Sequence, residues 1–313
     1  MIIKLKKTYI AMMMAAVLTA CGHRATSGSS SEDAAAVDST ASGDIQDVTL
    51  QTDSVGMERE DSMASVRATA DWPVKGNEAL VKSIRQYICE EMASDPFGED
   101  KPEVKLFEDG QKVVEATVNR QYQKLSEEWK EMRKEGYEGD MSFGSDVHVS
   151  KLVETDLYVT YMSNAEGFMG GAHGYAIATG QTFRKSDGKR IGYTTEYDQA
   201  TETFHQKDQT LFSDPQSPKL FALIKEGVRS YFAEFETDVK TDEALKDMLI
   251  GVEDINRIPL PSAAPYFTKE GLSFVYQQYE IAPYAAGMVS FNIPYAKIRP
   301  FLTKDASALV NDN

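Results

Sequence analysis

Two segments of the chain combine side chains that can contact a ligand with residues that let the backbone bend. The first reads Phe168-Met169-Gly170-Gly171-Ala172-His173-Gly174. Paired glycines permit close backbone approach, and a histidine can form hydrogen bonds or titrate near neutral pH. Phe168 and His173 are therefore candidate binding residues. The structural alternative, which we favour for His173, is a tight turn or bulge in which the imidazole bonds to a neighbouring backbone group.

The second segment is an apolar, aromatic loop with a single acid. It reads Tyr279-Glu280-Ile281-Ala282-Pro283-Tyr284-Ala285-Ala286-Gly287. Tyrosine offers a large contact area at low entropy cost, which fits recognition of a protein or a sugar. Tyr279, Glu280 and Tyr284 are therefore candidate binding residues. The pattern also fits a loop folded onto a sheet, with Glu280 satisfied by backbone donors, and the sequence leaves both interpretations open.

Residues for catalysis or metal binding are scarce. His23 lies in a polar N-terminal stretch, and His148, His173 and His205 lack helical metal-ligand spacing. We find no Gly-x-Ser-x-Gly elbow, no glycine-rich phosphate loop and no cysteine nucleophile motif. We predict a binding or sensing module that uses no catalysis, cofactor or metal. Because the chain has 49 acidic residues, a peptidoglycan or glycan hydrolase with an unrecognised carboxylate pair is the alternative.

The N-terminus has the features of an export signal. Three lysines in the first seven residues precede an apolar stretch that is too short to span a bilayer. The following Leu18-Thr19-Ala20-Cys21 resembles the lipobox of bacterial lipoproteins. We therefore expect removal of residues 1–20 and an exported protein held in the lipid bilayer by an acylated Cys21. Since Gly22 and not an acid follows, resemblance to other lipoproteins implies a periplasm-facing outer-membrane location, where the cell has such a membrane.

The chain is acidic, with a formal net charge of −16. Removing residues 1–20 removes three lysines and no acid, which brings the charge to −19. Such a chain will not seek nucleic acid or an anionic membrane surface, but it can attract a basic partner. Cys89 is the second of two cysteines, so a lipidated Cys21 leaves no disulfide within the chain. Its helical position beside Ile88 predicts a small, semi-buried apolar residue.

The order of elements predicts an α+β fold with antiparallel sheets and packed helices. After an acidic flexible tether over residues 21–65, we expect an N-terminal subdomain over 66–184, a C-terminal subdomain over 185–303 and a tail over 304–313. Helical periodicity marks residues 77–92, 111–134, 219–235, 242–250 and 295–302. Strand patterns mark residues 66–74, 143–151, 156–162, 175–183, 264–268, 272–277 and 288–293, with a loop over 164–171.

The two candidate segments and the turn between them resemble a known family. The order Gly170-Gly171-Ala172-His173, Ser186-Asp187-Gly188-Lys189, Gly271-Leu272-Ser273-Phe274 and the 279–287 loop resembles the RsiV-like extracytoplasmic domains of unknown function. The opening Trp72-Pro73-Val74-Lys75-Gly76-Asn77 resembles their smaller N-terminal partner domain.

This resemblance implies an α+β fold and a role in envelope binding. The family occurs in the ectodomain of the sigma-V anti-sigma factor, which binds lysozyme, and beside the catalytic domain of PdaC-type deacetylases. We recognise neither an anti-sigma segment nor a deacetylase domain in the sequence, so binding is the property we expect to carry over. The expected partner is a basic muramidase such as a C-type lysozyme, or a cell-wall glycan, with Phe168, Tyr279 and Tyr284 as aromatic anchors.

Overall fold

The computed structural model describes residues 49–95, 103–136, 142–198, 203–235 and 238–310. The expected signal peptide, Cys21 and most of the expected tether lie outside these ranges. Within them, helices and mainly antiparallel sheets alternate, which confirms the predicted α+β class. None of the helices in these ranges combines the length and apolar character needed to cross a bilayer.

A six-stranded sheet occupies the first half of the described chain. Its strands, in spatial order, are β1 (Gln51–Glu60), β2 (Ala64–Lys75), β3 (Phe143–Glu154), β4 (Tyr158–Phe168), β5 (Tyr175–Arg184) and β6 (Arg190–Ile191). Neighbouring strands are antiparallel except β2 and β3, which pair in parallel. A parallel pair needs a long crossover, and two helices supply it.

These two helices, α1 (Glu78–Ala93) and α2 (Gly110–Lys134), cover one face of the sheet. Asn77 caps α1 by accepting from the Leu80 amide at 3.2 Å, and Asp109 caps α2 by accepting from the Gln111 amide at 2.9 Å. The apolar stripes of both helices pack on the strands, and Cys89 is buried among them. The predicted helical periodicity therefore corresponds to the face that builds the first core.

The second half contains shorter elements. They are the hairpin β7 (Thr194–Asp198) and β8 (Thr203–Lys207), helices α3 (Pro218–Glu234) and α4 (Asp242–Asp247), strands β9 (Tyr266–Phe267), β10 (Gly271–Tyr276) and β11 (Val289–Pro294), and helices α5 (Tyr295–Ile298) and α6 (Lys304–Ser307). Strand β10 lies between β9 and β11 in an antiparallel sheet, and α3 packs on β11. These elements enclose a second core rich in phenylalanine and tyrosine.

The expected tether ends earlier than the sequence suggested. Strand β1 lies inside the range 21–65 and pairs antiparallel with β2 along its length. Leu50 is only 2% exposed, and its amide donates to the Glu154 carboxylate at 2.8 Å. The prediction was wrong over residues 50–60 because β1 is an edge strand whose side chains are mostly exposed, so its polar composition looks like a linker.

Two other boundaries need correction. The predicted loop over 164–171 is too long, because β4 continues to Phe168 and pairs with β3 up to Gly144. The predicted tail contains α6, and three of its residues, Ala306, Leu309 and Val310, are buried in the second core. A one-turn helix leaves too few apolar repeats to be recognised as an element in the sequence.

The described residues from 49 onward belong to one compact unit. Its two main cores follow the order of the predicted subdomains, since residues 50–183 form one and most of the other lies after residue 190. Val153 and Tyr158, from the adjoining ends of β3 and β4, pack into the second core. The large sheet therefore contributes side chains to both.

Candidate functional site

The segment between β4 and β5 turns sharply. Gly170 and Gly171 adopt φ values of 91° and 85°, in the left-handed region that favours glycine. A Cβ atom on Gly174 would lie 2.5 Å from the Gly167 carbonyl oxygen, so the chain can pass there only without a side chain. The glycines thus serve the turn, and His173 is carried at its exposed end.

The second segment is the loop after β10, and the half-buried carboxylate of Glu280 stabilises it. This carboxylate accepts hydrogen bonds from the Ser262 amide at 2.5 Å and the Gln277 amide at 2.7 Å. Burial raises the pKa of Glu280, and these two amides oppose the rise. Of the two interpretations left open by the sequence, the structure shows the one in which backbone donors satisfy Glu280.

His173, Tyr279 and Tyr284 come together and form what we call the aromatic cluster. The imidazole of His173 stacks on the ring of Tyr284, with centroids 3.8 Å apart and an interplanar angle of 21°. Its Nε2 lies 3.2 Å from the Tyr279 hydroxyl, and its Nδ1 lies 2.9 Å from the Gly174 carbonyl oxygen. A carbonyl can only accept, so Nδ1 is the donor there, and in the neutral ring Nε2 accepts from Tyr279.

The cluster is exposed but firmly supported. Tyr279 is 54% exposed, and it adopts a φ of 67°, which is strained for a bulky residue. The Tyr284 hydroxyl donates to the Gly174 carbonyl at 3.0 Å and so ties the two segments together. From α3, the Tyr231 hydroxyl donates to the Ala286 carbonyl at 2.6 Å.

Two glutamines attach the loop to the edge of β5. The Gln277 side chain accepts from the Ala178 amide at 3.1 Å and donates to the Ala178 carbonyl at 2.8 Å. The Gln278 side chain accepts from the Ala176 amide at 3.1 Å. These side chains satisfy backbone groups in the way a neighbouring strand would. Nothing in the sequence singled them out, since only the position of the loop after β10 beside β5 gives them this role.

Phe168 does not join the aromatic cluster. Its ring packs edge-to-face on Phe143, with centroids 6.5 Å apart, at the margin of the first core. The structure thus brings together His173, Tyr279 and Tyr284, places Glu280 within the supporting loop, and keeps Phe168 in packing.

The chemistry available to the cluster is stacking and hydrogen bonding. In the described ranges, no group of three or more histidine, cysteine, aspartate or glutamate side chains is placed to hold a metal ion. Burial raises the pKa of three carboxyl groups, those of Glu91, Asp146 and Glu280. Glu91 accepts from the Thr179 hydroxyl at 3.3 Å between α1 and the sheet, and Glu280 is bound to amides. The aromatic cluster itself offers the ring faces and hydroxyls of two tyrosines and one imidazole.

Comparison with known proteins matches a family to part of the second half of the chain. Residues 209–296 match the family described as "Protein of unknown function (DUF3298)". This segment is a DUF3298 domain. It includes Tyr279, Glu280 and Tyr284, whereas His173 comes from outside it, so the aromatic cluster combines the DUF3298 domain with the preceding sheet.

Solved structures show the same fold over most of the chain. A DUF3298-family protein from Bacteroides fragilis is 21% identical, with a TM-score of 0.59 over 82% of this chain and 94% of its own. A DUF3298-family protein from Pseudomonas aeruginosa is 14% identical, with a TM-score of 0.53 over 83% of this chain and 97% of its own. No curated protein sequence matches the chain.

Proposed function

We propose that this protein is an exported lipoprotein, anchored through Cys21, that binds a partner in the cell envelope without catalysing a reaction. The observation that carries the proposal is the aromatic cluster of His173, Tyr279 and Tyr284. The exposed Tyr279 and the half-buried Tyr284, on a rigid support, provide the contact area and the polar tips typical of binding sites. The loss of conformational entropy of the loop on binding is small, because Glu280 and Gln277 already fix its conformation.

The partner we propose is a basic muramidase such as a C-type lysozyme. Two features support it: the resemblance of the glycine–histidine segment and the 279–287 loop to RsiV-like domains, and the charge of −19 on the chain after residue 20. Charge of this size steers a cationic protein and accelerates encounter, with a rate that falls as salt rises. Specificity then depends on the aromatic side chains.

Biolayer interferometry tests this with the chain from residue 22 onward and a C-type lysozyme, at low and at physiological salt. We expect saturable binding whose association rate falls with salt. Tyr284→Ala and Tyr279→Ala should weaken it by at least about tenfold, the loss of roughly 1.4 kcal/mol that a hot-spot side chain exceeds. Leu152→Ala is the control, because Leu152 is an exposed large apolar residue on β3, outside the cluster and the loop that supports it.

Three results would overturn this proposal. Equal binding to an unrelated protein of the same positive charge would reduce the interaction to electrostatics. Binding to purified wall glycan and not to lysozyme, with the same Tyr284 dependence, would replace the partner. Release of soluble fragments from peptidoglycan by the chain alone would replace binding with hydrolysis.

The anchor has its own test. Cys21→Ser should move the protein from the membrane fraction to the soluble fraction and abolish labelling by radioactive fatty acid, because the thiol is the acylation point. Unchanged fractionation of the variant would contradict lipidation at Cys21.

A further inference from the structure

A cleft lies between the end of α1, the middle of α2 and the strands beneath them. Its volume is about 140 Å³, and its wall includes Asp95, Arg120, Gln121, Lys124, Leu125 and Met169. All of these residues precede residue 209, so the cleft lies outside the DUF3298 domain. It also shares no side chain with the aromatic cluster.

Helix α2 supplies most of the polar groups of the cleft. Arg120 and Lys124 are four residues apart, as are Gln121 and Leu125, so all four side chains project from neighbouring positions on one face. The wall therefore contains two cationic groups and one carboxylate. A cleft with a net positive charge is unusual in a chain whose formal charge is −16. It attracts an anion and repels a cation.

Arg120 and Lys124 are held in place by hydrogen bonds that use only some of their N–H groups. Arg120 donates to the carbonyl oxygens of Met92 and Ala93 at 2.6 and 2.9 Å, which caps the end of α1 and uses only some of the N–H groups of a guanidinium. The Lys124 ammonium lies 2.6 Å from Asp95, in a pair whose side chains are 36% and 24% exposed. An ammonium group carries further hydrogens for a second acceptor.

Gln121 adds a neutral donor with a fixed orientation. Its side-chain oxygen accepts from the Ser145 hydroxyl at 2.7 Å. The amide nitrogen makes no hydrogen bond to another residue in the described part of the chain. Because the oxygen is held by Ser145, the NH₂ group is the end left to meet a ligand.

The remaining wall limits the size and the polarity of a ligand. Leu125, which is 3% exposed, Met169 and the ring of Tyr175 provide an apolar surface beside the charged groups, and the Tyr175 hydroxyl bonds to Ser145. A closed cavity of about 150 Å³ accommodates a molecule of the size of benzene, so the part of a ligand that this cleft encloses has about six non-hydrogen atoms. An apolar wall favours an organic ion over inorganic phosphate, and one surplus positive charge matches a monoanion.

We propose that this cleft binds a small organic monocarboxylate, with the carboxylate held by Lys124, Arg120 and the Gln121 amide and a short alkyl group against Leu125 and Met169. Short carboxylic acids, 2-hydroxy acids and the carboxyl end of a small amino acid share this chemistry. Asp95 distinguishes them, because only an amino acid brings an ammonium group that a carboxylate can attract.

NMR titration of the ¹⁵N-labelled chain from residue 22 onward tests the proposal. The probes are propionate, lactate, alanine, the neutral isostere propionamide, and inorganic phosphate. We expect saturable shifts of amide signals in α2 and β3 with the organic carboxylates, at a Kd on the order of 1 mM. Propionamide should give no saturable shift, and phosphate should bind more weakly than propionate. If alanine binds more tightly than propionate, the ligand is the carboxyl end of a small amino acid.

Two variants and one control locate the site. Gln121→Glu keeps an oxygen for Ser145 but adds a negative charge, so it should abolish propionate binding. Lys124→Gln should weaken binding at least about tenfold, whereas Lys130→Gln, on an exposed part of the same helix, should change nothing. Should Lys124→Gln fail to fold, Gln121→Glu decides alone. Equal responses to propionate and propionamide, binding unaffected by Gln121→Glu, or no response at 50-fold above about 1 mM would overturn the proposal.

Discussion

The two halves of the molecule satisfy their backbones in different ways. In the first, five strands of 10 to 12 residues and helices of 16 and 25 residues pair their own amides and carbonyls. In the second, strands of 2 to 6 residues leave much irregular backbone. Tyrosine hydroxyls bind carbonyl oxygens there: Tyr193 that of Pro261, Tyr276 that of Pro259, Tyr231 that of Ala286 and Tyr295 that of Thr268.

This difference shows how an irregular loop can carry a rigid contact surface. A buried carbonyl without a partner is costly, so each tyrosine that reaches one fixes the loop as well as filling the core. In the first half, a charged group does this where the first strand joins the sheet. There, Glu154 accepts from the Leu50 amide, Lys151 and Lys185. Burial acts to raise the pKa of Glu154, but these three partners hold it below its usual value.

Removing β1 should have the largest effect. A chain that starts at residue 61 keeps β2 whole but lacks Leu50 and the whole of β1, which leaves a hole in the first core and takes the backbone donor from Glu154. We expect loss of cooperative unfolding, because β2 becomes an unprotected edge and a buried charge loses a partner. Near-UV circular dichroism and thermal melting would measure it. The control chain starts at residue 49, and melting temperatures within about 3 °C of each other would contradict the role of β1.

Glu280→Ala tests the loop of the second half. The change leaves the Ser262 and Gln277 amides without their acceptor, and we expect a loss of about 1–3 kcal/mol in the free energy of unfolding. Urea denaturation measures it. Glu270→Ala, at an exposed turn on the same sheet, should have little effect. Equal stability of both variants would show that side-chain bonds to the backbone do not hold this half together.

The contact between His173 and Tyr279 should contribute less, because it is exposed. His173→Ala and Tyr279→Phe each remove the hydrogen bond between the segments, and we expect each to cost about 0.5–1.5 kcal/mol. His173→Ala also loses the stacking on Tyr284 and the bond to the Gly174 carbonyl, so its cost should be the larger. In a double-mutant cycle the double variant should cost less than the sum of the two, because the hydrogen bond they share is counted in both. Additive costs, measured by urea denaturation, would mean that the aromatic cluster is not coupled.

The smallest expected effect concerns Glu91 in the first half. Burial raises its pKa in the folded state above the value near 4.5 of an unperturbed glutamate, although Ser163 and Thr179 oppose the rise. A raised pKa means that the folded state holds the proton more tightly. Stability from this group is therefore full below the unfolded pKa and falls as the pH rises through the folded pKa.

Glu91→Gln should flatten this dependence, because a neutral amide has no proton to lose. Urea denaturation at pH 5 and pH 8 should show a smaller loss of stability for the variant than for the parent chain. Glu103→Gln, at an exposed position, should keep the dependence of the parent. A slope unchanged by Glu91→Gln would show that this carboxyl does not titrate differently on folding.

Local patterns in the sequence determined much of the fold. The apolar periodicity of residues 111–134 and 219–235 predicted α2 and α3 to within one residue at each end, because a buried helix face repeats in the chain itself. The strand patterns before and after residue 155 likewise predicted the hairpin of β3 and β4. The two segments that form the aromatic cluster were also recognisable, by their glycines and tyrosines.

Only the tertiary structure decided which of these residues meet. His173 and Tyr279 are 106 residues apart in sequence, and neither segment contains a signal for the other. The fold of the second half placed Glu280 on the Ser262 and Gln277 amides, and the fold of the first half placed Phe168 against Phe143, although both residues had been candidate binding residues. In the same way, the polar strand β1 is ordered by β2 and Glu154 and not by its own composition. Contacts between distant segments depend on how whole helices and strands pack, and a local sequence pattern does not determine that packing.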